Sequence, residues 1–270
     1  MPESDGNSPG WLGVDEGWGR RAVDFSTLSE PSNCREYVAL HHQLGIDVGC
    51  QLLDVACGSG LAIELARLRG ANCSGIDASA RLITVAKYRN PESDIRVGDM
   101  HNLPWNDETF DVATSFRGIW GTTPDAVTEM SRVLRPGGQI GLTVWGHLKL
   151  SPGAWALAPF RLAAQEKVEN QAAMVSLGRP GAGEHLLESC GFIDVQRVEV
   201  PFAWEFPDPE IYVRALASTG PAYEAIQNVG EETFRSVALE EATRQLHDGV
   251  PLRAEISVVG FLARKPQGME

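Results

Sequence analysis

Between residues 51 and 145, short apolar runs alternate with amphipathic stretches. The apolar runs predict strands, and apolar residues spaced three or four apart predict helices with one buried face. The predicted strands are Gln51–Ala56, Asn72–Ile76, Ile95–Val97, Phe110–Ser115 and Gln139–Trp145. The predicted helices are Gly60–Arg69, Asp77–Tyr88 and Pro124–Leu134. Regular strand–helix alternation indicates a mostly parallel α/β sheet with helices on both faces.

The pattern changes on both sides of this region. Residues 11–49 have a mainly helical pattern, and "LRPGG" at 134–138 predicts a turn into the fifth strand. Further helices are predicted over Ser151–Val175, Glu184–Ser189 and 207–248, and further strands over 192–200 and 254–265. We expect one α/β domain over 11–270 with helical insertions, preceded by a disordered tail at 1–10.

Composition narrows the possible partners. The net charge is −13 and no segment is rich in lysine or arginine, which argues against binding of nucleic acid through its phosphate backbone. Five cysteines without a C-x-x-C pair indicate free thiols in a reducing compartment, and no His/Asp/Glu cluster has metal-ligand spacing. The first residues have no apolar signal segment, and no run approaches the roughly 20 apolar residues of a membrane span. We therefore expect a cytoplasmic protein without a metal.

A glycine-containing loop follows the first predicted strand in "LLDVACGSG" at 52–60. Gly58 and Gly60 permit a tight turn and a close approach of backbone to ligand. A dinucleotide loop needs a third glycine where this chain has Ile63, and a phosphate-binding P-loop needs a Gly-Lys-Ser/Thr ending that is absent. The pattern therefore favours a nucleotide-like ligand without a pyrophosphate.

Two aspartates follow the next two predicted strands. Asp77 lies 17 residues beyond Gly60, where a carboxylate can accept hydrogen bonds from ribose hydroxyls, although it can also cap the following helix, for which Ser79 is a second candidate. Asp99 can accept from an adenine amine and Met100 can cover the base, although an aspartate at this place can also simply form a turn. Together with the loop, these positions indicate an adenosine.

The segments "LLDVACGSG", "GIDAS", "GDMHNLPWNDETFDVATS" and "EMSRVLRPGGQIGLTVW" resemble the successive signature segments of class I S-adenosylmethionine-dependent methyltransferases. The similarity runs from about residue 50 to 145 and is greatest to the broad small-molecule group that includes ubiquinone/menaquinone C-methyltransferases. It implies a three-layer, Rossmann-like sheet of seven strands with the last antiparallel. The core would be 50–146, 182–200 and 254–265, and an acceptor lid would be formed by 11–49, 147–180 and 203–248.

The resemblance also implies S-adenosyl-L-methionine as the cofactor and assigns residues to it. The glycine loop would contact its ribose and methionine parts, oriented by Asp54, and Phe116 would lie near the sulfonium with Arg117 beside it. In the N-terminal segment, Trp18 or Arg20 would close over the cofactor, and Arg20 would pair with its carboxylate. The implied cofactor-binding residues are Asp54, Ala56, Gly58, Gly60, Asp77, Ala78, Asp99, Met100, Phe116 and Arg20.

Methyl transfer to a small aromatic or lipophilic acceptor, of quinone or secondary-metabolite type, is the implied reaction. A general base helps when the acceptor must lose a proton, and His147, directly after the fifth strand, is the chosen candidate over His41, His42 and His101. A structural role remains open for each histidine. An NAD-dependent oxidoreductase and a non-catalytic adenosyl-binding protein are the alternatives. The aromatic residues expected near the acceptor are Trp120, Trp145, Trp155, Phe160, Trp204, Phe206 and Tyr212.

Overall fold

The computed structural model describes residues 10–119, 123–164 and 177–268. The strands are β1 Gln51–Val55, β2 Asn72–Asp77, β3 Asp94–Val97, β4 Phe110–Phe116, β5 Leu134–Trp145, β6 Ile193–Val200, β7 Ala203–Phe206, β8 Leu252–Glu255 and β9 Val258–Arg264. The α-helices are α1 Ala22–Asp24, α2 Cys34–Gln43, α3 Leu61–Arg67, α4 Ala80–Arg89, α5 Thr123–Val133, α6 Ala182–Ser189, α7 Pro209–Ala217, α8 Gly220–Val229 and α9 Glu231–Thr243. Short 3₁₀ and π-helical turns cover Gly10–Gly13, Asp15–Gly19, Phe25–Ser29, Glu30–Asn33, Leu148–Leu150 and Pro152–Leu162.

Seven strands form one sheet in the order β3-β2-β1-β4-β5-β9-β6. Strands β1 to β5 pair in parallel, whereas β9 runs antiparallel to both β5 and β6. The predicted fold class, with its last strand antiparallel, is confirmed. The strand order reverses between β1 and β4, and open α/β sheets bind ligands at the carboxyl ends of the strands beside such a reversal.

The apolar run of β1 is explained by burial on both faces of the sheet. Leu52 packs in one hydrophobic cluster with Leu40 and Ile63, and Leu53 packs in another with Met130. All five are fully buried. Because a parallel strand covered on both faces has no polar side, it has a continuous apolar sequence rather than an alternating one.

The predicted strand over 254–265 is wrong in its first part. Strand β8 ends before Ile256 and pairs with β7 in a separate two-stranded sheet, which the sequence pattern did not predict. The interruption falls at Ser257, whose N–H donates to Ser151 Oγ (2.9 Å) and whose carbonyl accepts from Gly146 N (2.8 Å). Both backbone groups of Ser257 therefore bond to the segment that follows β5 and do not join the hydrogen bonds of a continuous strand.

The helix predicted over Ser151–Val175 is helical in its described part, but it is not an α-helix. Pro152–Leu162 forms a 3₁₀ helix that contains Pro159, and a proline removes the N–H that a longer α-helix requires. Residues 165–175 of that prediction, Trp120 and most of the predicted tail lie outside the described residues. The helices predicted over 207–248 are confirmed as three, with Gly230 at a φ of 84° between the last two. No helix in the described ranges has both the length and the apolar character needed to cross a membrane.

Candidate functional site

A cavity of about 1510 Å³ opens at the carboxyl ends of the parallel strands. Its walls come from the loops after β1, β2, β3, β4 and β5, from the N-terminal turns and from β6. Pockets for one small molecule are typically about 300–1,000 Å³. The cavity therefore has room for a cofactor and a second molecule side by side.

The loop after β1 forms the floor of this cavity. Ala56 and Gly58 line it, with left-handed φ angles of 58° and 55°. Gly60 differs from the expectation, because the structure places it at the start of α3, away from the cavity. At a φ of 80°, a Cβ there would lie 2.9 Å from both Ala86 Cβ and Asn90 Nδ2. Gly60 thus allows α4 to pack against the loop.

Asp77 connects this loop to the next helix. Its Oδ2 accepts from Gly58 N and its Oδ1 from Ser79 N, both at 2.8 Å. Ser79 is the residue that caps α4, accepting from Leu82 N at 3.2 Å, so the interpretation of Asp77 as the cap itself is wrong. Burial raises the pKa of Asp77. Asp77 and its neighbour Ala78 both line the cavity.

Asp99 and Met100 extend the same wall beyond β3. Asp99 Oδ1 accepts from His101 N at 3.0 Å and lies 2.5 Å from His101 Nδ1. The apolar side chains of Ile76 and Leu82 line the cavity near them. A carboxylate beside an apolar slot is suited to a flat base that bears an amine.

Asp54 is buried at the end of β1, where Thr114 Oγ1 donates to its Oδ1 at 2.7 Å. Burial raises the pKa of this carboxyl from 3.8 to about 8. Because the unfolded chain ionises at a lower pH, the folded state loses stability as the pH rises from about 4 to about 8. Above about pH 8 the contribution of Asp54 to the free energy of unfolding no longer changes.

Asp54→Asn should remove this penalty, because asparagine keeps an acceptor for Thr114 and cannot ionise. We expect the variant to be more stable than the parent at pH 8.5 by at least about 1 kcal/mol. Near pH 4 this advantage should disappear. Urea unfolding of both proteins at the two pH values measures it, and parallel pH profiles would contradict the burial argument.

A buried ion pair lies below the centre of the cavity. Arg117 follows β4 with a φ of 55° and donates through Nη2 to Glu36 Oε2 at 2.9 Å. Glu36 is fully buried and also accepts from Thr143 Oγ1. The guanidinium stacks over the rings of Trp145 and Phe202, at 4.6 and 4.5 Å from their centroids. These contacts fix Arg117 in the cavity wall next to Phe116.

Glu30, Asn33 and Tyr37 are among the cavity residues of the N-terminal segment that the sequence interpretation missed. Asn33 Nδ2 donates to Tyr37 Oη at 3.0 Å, while Asn33 Oδ1 is buried without a hydrogen-bond partner among the described residues. Glu30 is buried and bonded to Ser59 and Arg89. The spacing of three and four within "EPSNCREY" was the signal that places all three on one helical face.

Arg20 does not have the predicted orientation. Its Nη2 donates to Ala217 O at 3.3 Å and its guanidinium lies over the ring of Tyr223, 5.2 Å from the centroid. It does not line the cavity, so the predicted pairing with a cofactor carboxylate is not supported. Trp18 does line the cavity and packs edge-on against Phe25, with centroids 5.8 Å apart.

The four candidate histidines separate into two groups. His147 and His101 line the cavity, whereas His41 and His42 do not. His41 is buried beside Phe116 with ring centroids 5.5 Å apart, and burial lowers its pKa to about 4. The structure therefore leaves two candidate bases in the cavity wall, His147 after β5 and His101 after β3.

The aromatic residues predicted near the acceptor also fall into two groups, those that line the cavity and those that do not. Trp145, Phe160 and Trp204 line the cavity. Tyr212 is fully buried and donates from its hydroxyl to Ala156 O at 2.9 Å, in contact with Trp155 and Phe206. The rings of Tyr212, Trp155 and Phe206 therefore pack the helical insertions against the β7–β8 sheet.

Residues 53–142 match the family model described as a methyltransferase domain. This part of the chain is therefore similar to a methyltransferase domain, which agrees with the resemblance to class I methyltransferases. The chain is 30% identical over 148 residues to a demethylmenaquinone methyltransferase of Renibacterium salmoninarum, covering 54% of this chain and 61% of that protein. It is 38% identical over 109 residues to a 2-phytyl-1,4-naphtoquinone methyltransferase of Synechocystis sp., covering 36% and 46%.

The chain thus spans less than two thirds of the length of either relative. Among solved structures, it is similar to phosphoethanolamine N-methyltransferase 2 of Haemonchus contortus, in complex with phosphomonomethylethanolamine and S-adenosylhomocysteine. The TM-score is 0.60 at 16% identity, over 95% of this chain and 59% of that chain. At this identity the likeness establishes the fold.

Proposed function

We propose that this chain transfers a methyl group from S-adenosyl-L-methionine to a small aromatic or lipophilic acceptor. The observation that carries the proposal is the row of carboxyl groups Asp54, Asp77 and Asp99 around the glycine loop, within a cavity larger than one ligand requires. Burial raises the pKa of Asp54 and Asp77. Burial makes the ionised form of these carboxyl groups unfavourable. A cationic ligand beside them stabilises that form, so the site favours a cation. The sulfonium cofactor is such a ligand.

The residues present fit the parts of this cofactor. Asp77 is suited to hold the ribose hydroxyls, and Asp99 with Met100 to hold the adenine. The unpartnered Asn33 Oδ1 and the carboxyl of Glu30 are suited to accept from the α-ammonium group. When bound, the cofactor supplies a methyl group that is already activated for displacement.

The protein's own contribution is positioning and exclusion of water. Trp18 and Phe25 from the N-terminal segment would cover the cofactor side, while Phe116 and Trp145 would hold the acceptor in line with the methyl group. Alignment of this kind can contribute about 7–11 kcal/mol to the rate in favourable cases. His147 is suited to take the proton when the methylated atom is a hydroxyl oxygen.

The relatives' names support a quinone-type or related acceptor for this chain. The oxidoreductase alternative has no support in the comparisons. Ile63, which replaces the third glycine of a dinucleotide loop, is fully buried and packs against Gly75, where its Cδ1 would lie 2.5 Å from an added Cβ. Cytoplasmic location and the absence of a nucleic-acid partner stay predictions.

Methyl transfer itself tests the proposal. The protein is incubated with cofactor labelled in its methyl group and a set of naphthoquinols, phenols and hydroxynaphthoates. The expected result is label in at least one acceptor, reduced strongly by Asp77→Ala. Binding of the cofactor without transfer to any acceptor class in the set would favour the non-catalytic alternative.

A further inference from the structure

The cavity wall is acidic toward one edge of the sheet and basic toward the other. Carboxyl groups line the part next to β3, β2 and β1, whereas basic side chains line the part next to β5 and β6. The basic residues are Lys149, Arg161, Arg179 and Arg197. The chain as a whole has a net charge of −13, so general composition does not explain a basic wall at this place.

Three of these cations have no ion pair among the described residues, namely Lys149, Arg161 and Arg179. Arg197, by contrast, lies 3.5 Å from Glu184 and donates to Gly178 O. Glu199 is the acidic side chain that lines this wall in the described part of the chain. The basic side chains therefore exceed the acidic ones at the mouth of the cavity.

Apolar side chains line the cavity beside the carboxyl groups and the cations, namely those of Trp145, Leu157, Phe160 and Trp204. Phe116 ends β4 and Trp145 ends β5, the next strand toward β6. A molecule that extends from Phe116 past Trp145 toward β6 would meet apolar surface first and cations at its far end. An amphipathic acceptor fits this sequence of environments better than a uniformly apolar one.

We propose that the acceptor carries an anionic group, a carboxylate or a phosphate, bound by Arg161 and Arg179 at the end remote from the methylated atom. This inference rests on the proposed function. Lys149 adds positive charge at the same mouth. Arginine forms charge-assisted, bidentate hydrogen bonds with either group, so both anions share the recognition chemistry.

The strand order separates Arg197 from the cofactor, and Arg179 lies beside it, since Arg197 Nη1 donates to Arg179 O at 3.4 Å. Asp77 and Asp99 follow β2 and β3 at one edge of the sheet, and Arg197 lies on β6 at the other. Strands β1, β4, β5 and β9 lie between them. The basic wall is therefore assigned to the second molecule and not to the carboxylate of the cofactor.

Calorimetry on the protein saturated with S-adenosylhomocysteine tests this assignment. The probes are 6-hydroxy-2-naphthoate, its neutral methyl ester, and 2-naphthyl phosphate. We expect one or both anionic probes to bind at least about tenfold more tightly than the ester. The carboxylate and phosphate arms decide which anion is preferred.

The double variant Arg161→Gln/Arg179→Gln should abolish the preference for the anionic probes and leave affinity for S-adenosylhomocysteine unchanged. Arg264→Gln is the matched control, because Arg264 is exposed and lies at the opposite end of β9. It should keep the preference.

Equal affinity for the anionic probes and the ester overturns the proposal, as does a double variant that loses affinity for S-adenosylhomocysteine. Failure of the parent protein to bind S-adenosylhomocysteine contradicts the proposed function itself, which separates the two failures.

Discussion

Glu36→Ala should lower the free energy of unfolding by about 3–5 kcal/mol, because it leaves a largely buried guanidinium without its carboxylate. The side chains of Glu36 and Arg117 are 0% and 12% exposed. Arg117 also stacks on Trp145 and Phe202, so it cannot turn to solvent without disrupting the cavity wall. Urea unfolding with an unchanged denaturant dependence measures the loss.

The matched control is Glu92→Ala. Glu92 pairs with Arg67 at 2.6 Å, but its side chain is 82% exposed, and exposed ion pairs contribute about 0–1 kcal/mol. Replacing both Glu36 and Arg117 by methionine should recover much of the lost stability, because neither charge then stays buried. A loss in Glu36→Ala no larger than in Glu92→Ala would contradict the role given to the buried pair.

Asp77→Ala should weaken the binding of S-adenosylhomocysteine by about 1–3 kcal/mol, roughly five- to 150-fold. The variant loses the acceptor proposed for the ribose. It also loses the two bonds, to Gly58 N and Ser79 N, that hold the loop in its ligand-facing shape. Calorimetric titration of the two proteins measures the difference.

Asp47→Ala serves as the control for this titration, since Asp47 is exposed and precedes β1 at the other end of the sheet. Its affinity should match that of the parent. Asp77→Asn keeps one acceptor oxygen, so its affinity for S-adenosylhomocysteine should fall between those of the parent and Asp77→Ala. Unchanged affinity in Asp77→Ala would contradict both roles given to Asp77, the acceptor for the ribose and the residue that holds the ligand-facing loop.

The central sheet and the cofactor side of the site were predictable from the sequence. Their elements follow one another closely along the chain, and carboxyl ends of parallel strands meet at one edge. Asp77 and Asp99 therefore lie in the cavity wall as expected. The α-helix caps at Ser79 and Asp208 are local as well, and each accepts from the N–H three residues later.

The remaining parts depend on contacts between distant segments. Arg20 is oriented by Ala217, 197 residues away, so its own neighbours in the sequence do not indicate where it points. The β7–β8 pairing joins residues about 50 positions apart through three intervening helices. Gly60 shows a third limit, because a glycine in a loop can serve a ligand or the packing of a neighbouring helix, and its own sequence neighbours do not show that it packs against Ala86.

The most direct test of the cofactor assignment is titration of the parent protein with S-adenosylhomocysteine and, separately, with NAD. We expect saturable binding of one S-adenosylhomocysteine per chain and no binding of NAD. Binding of NAD together with no response to S-adenosylhomocysteine would contradict it.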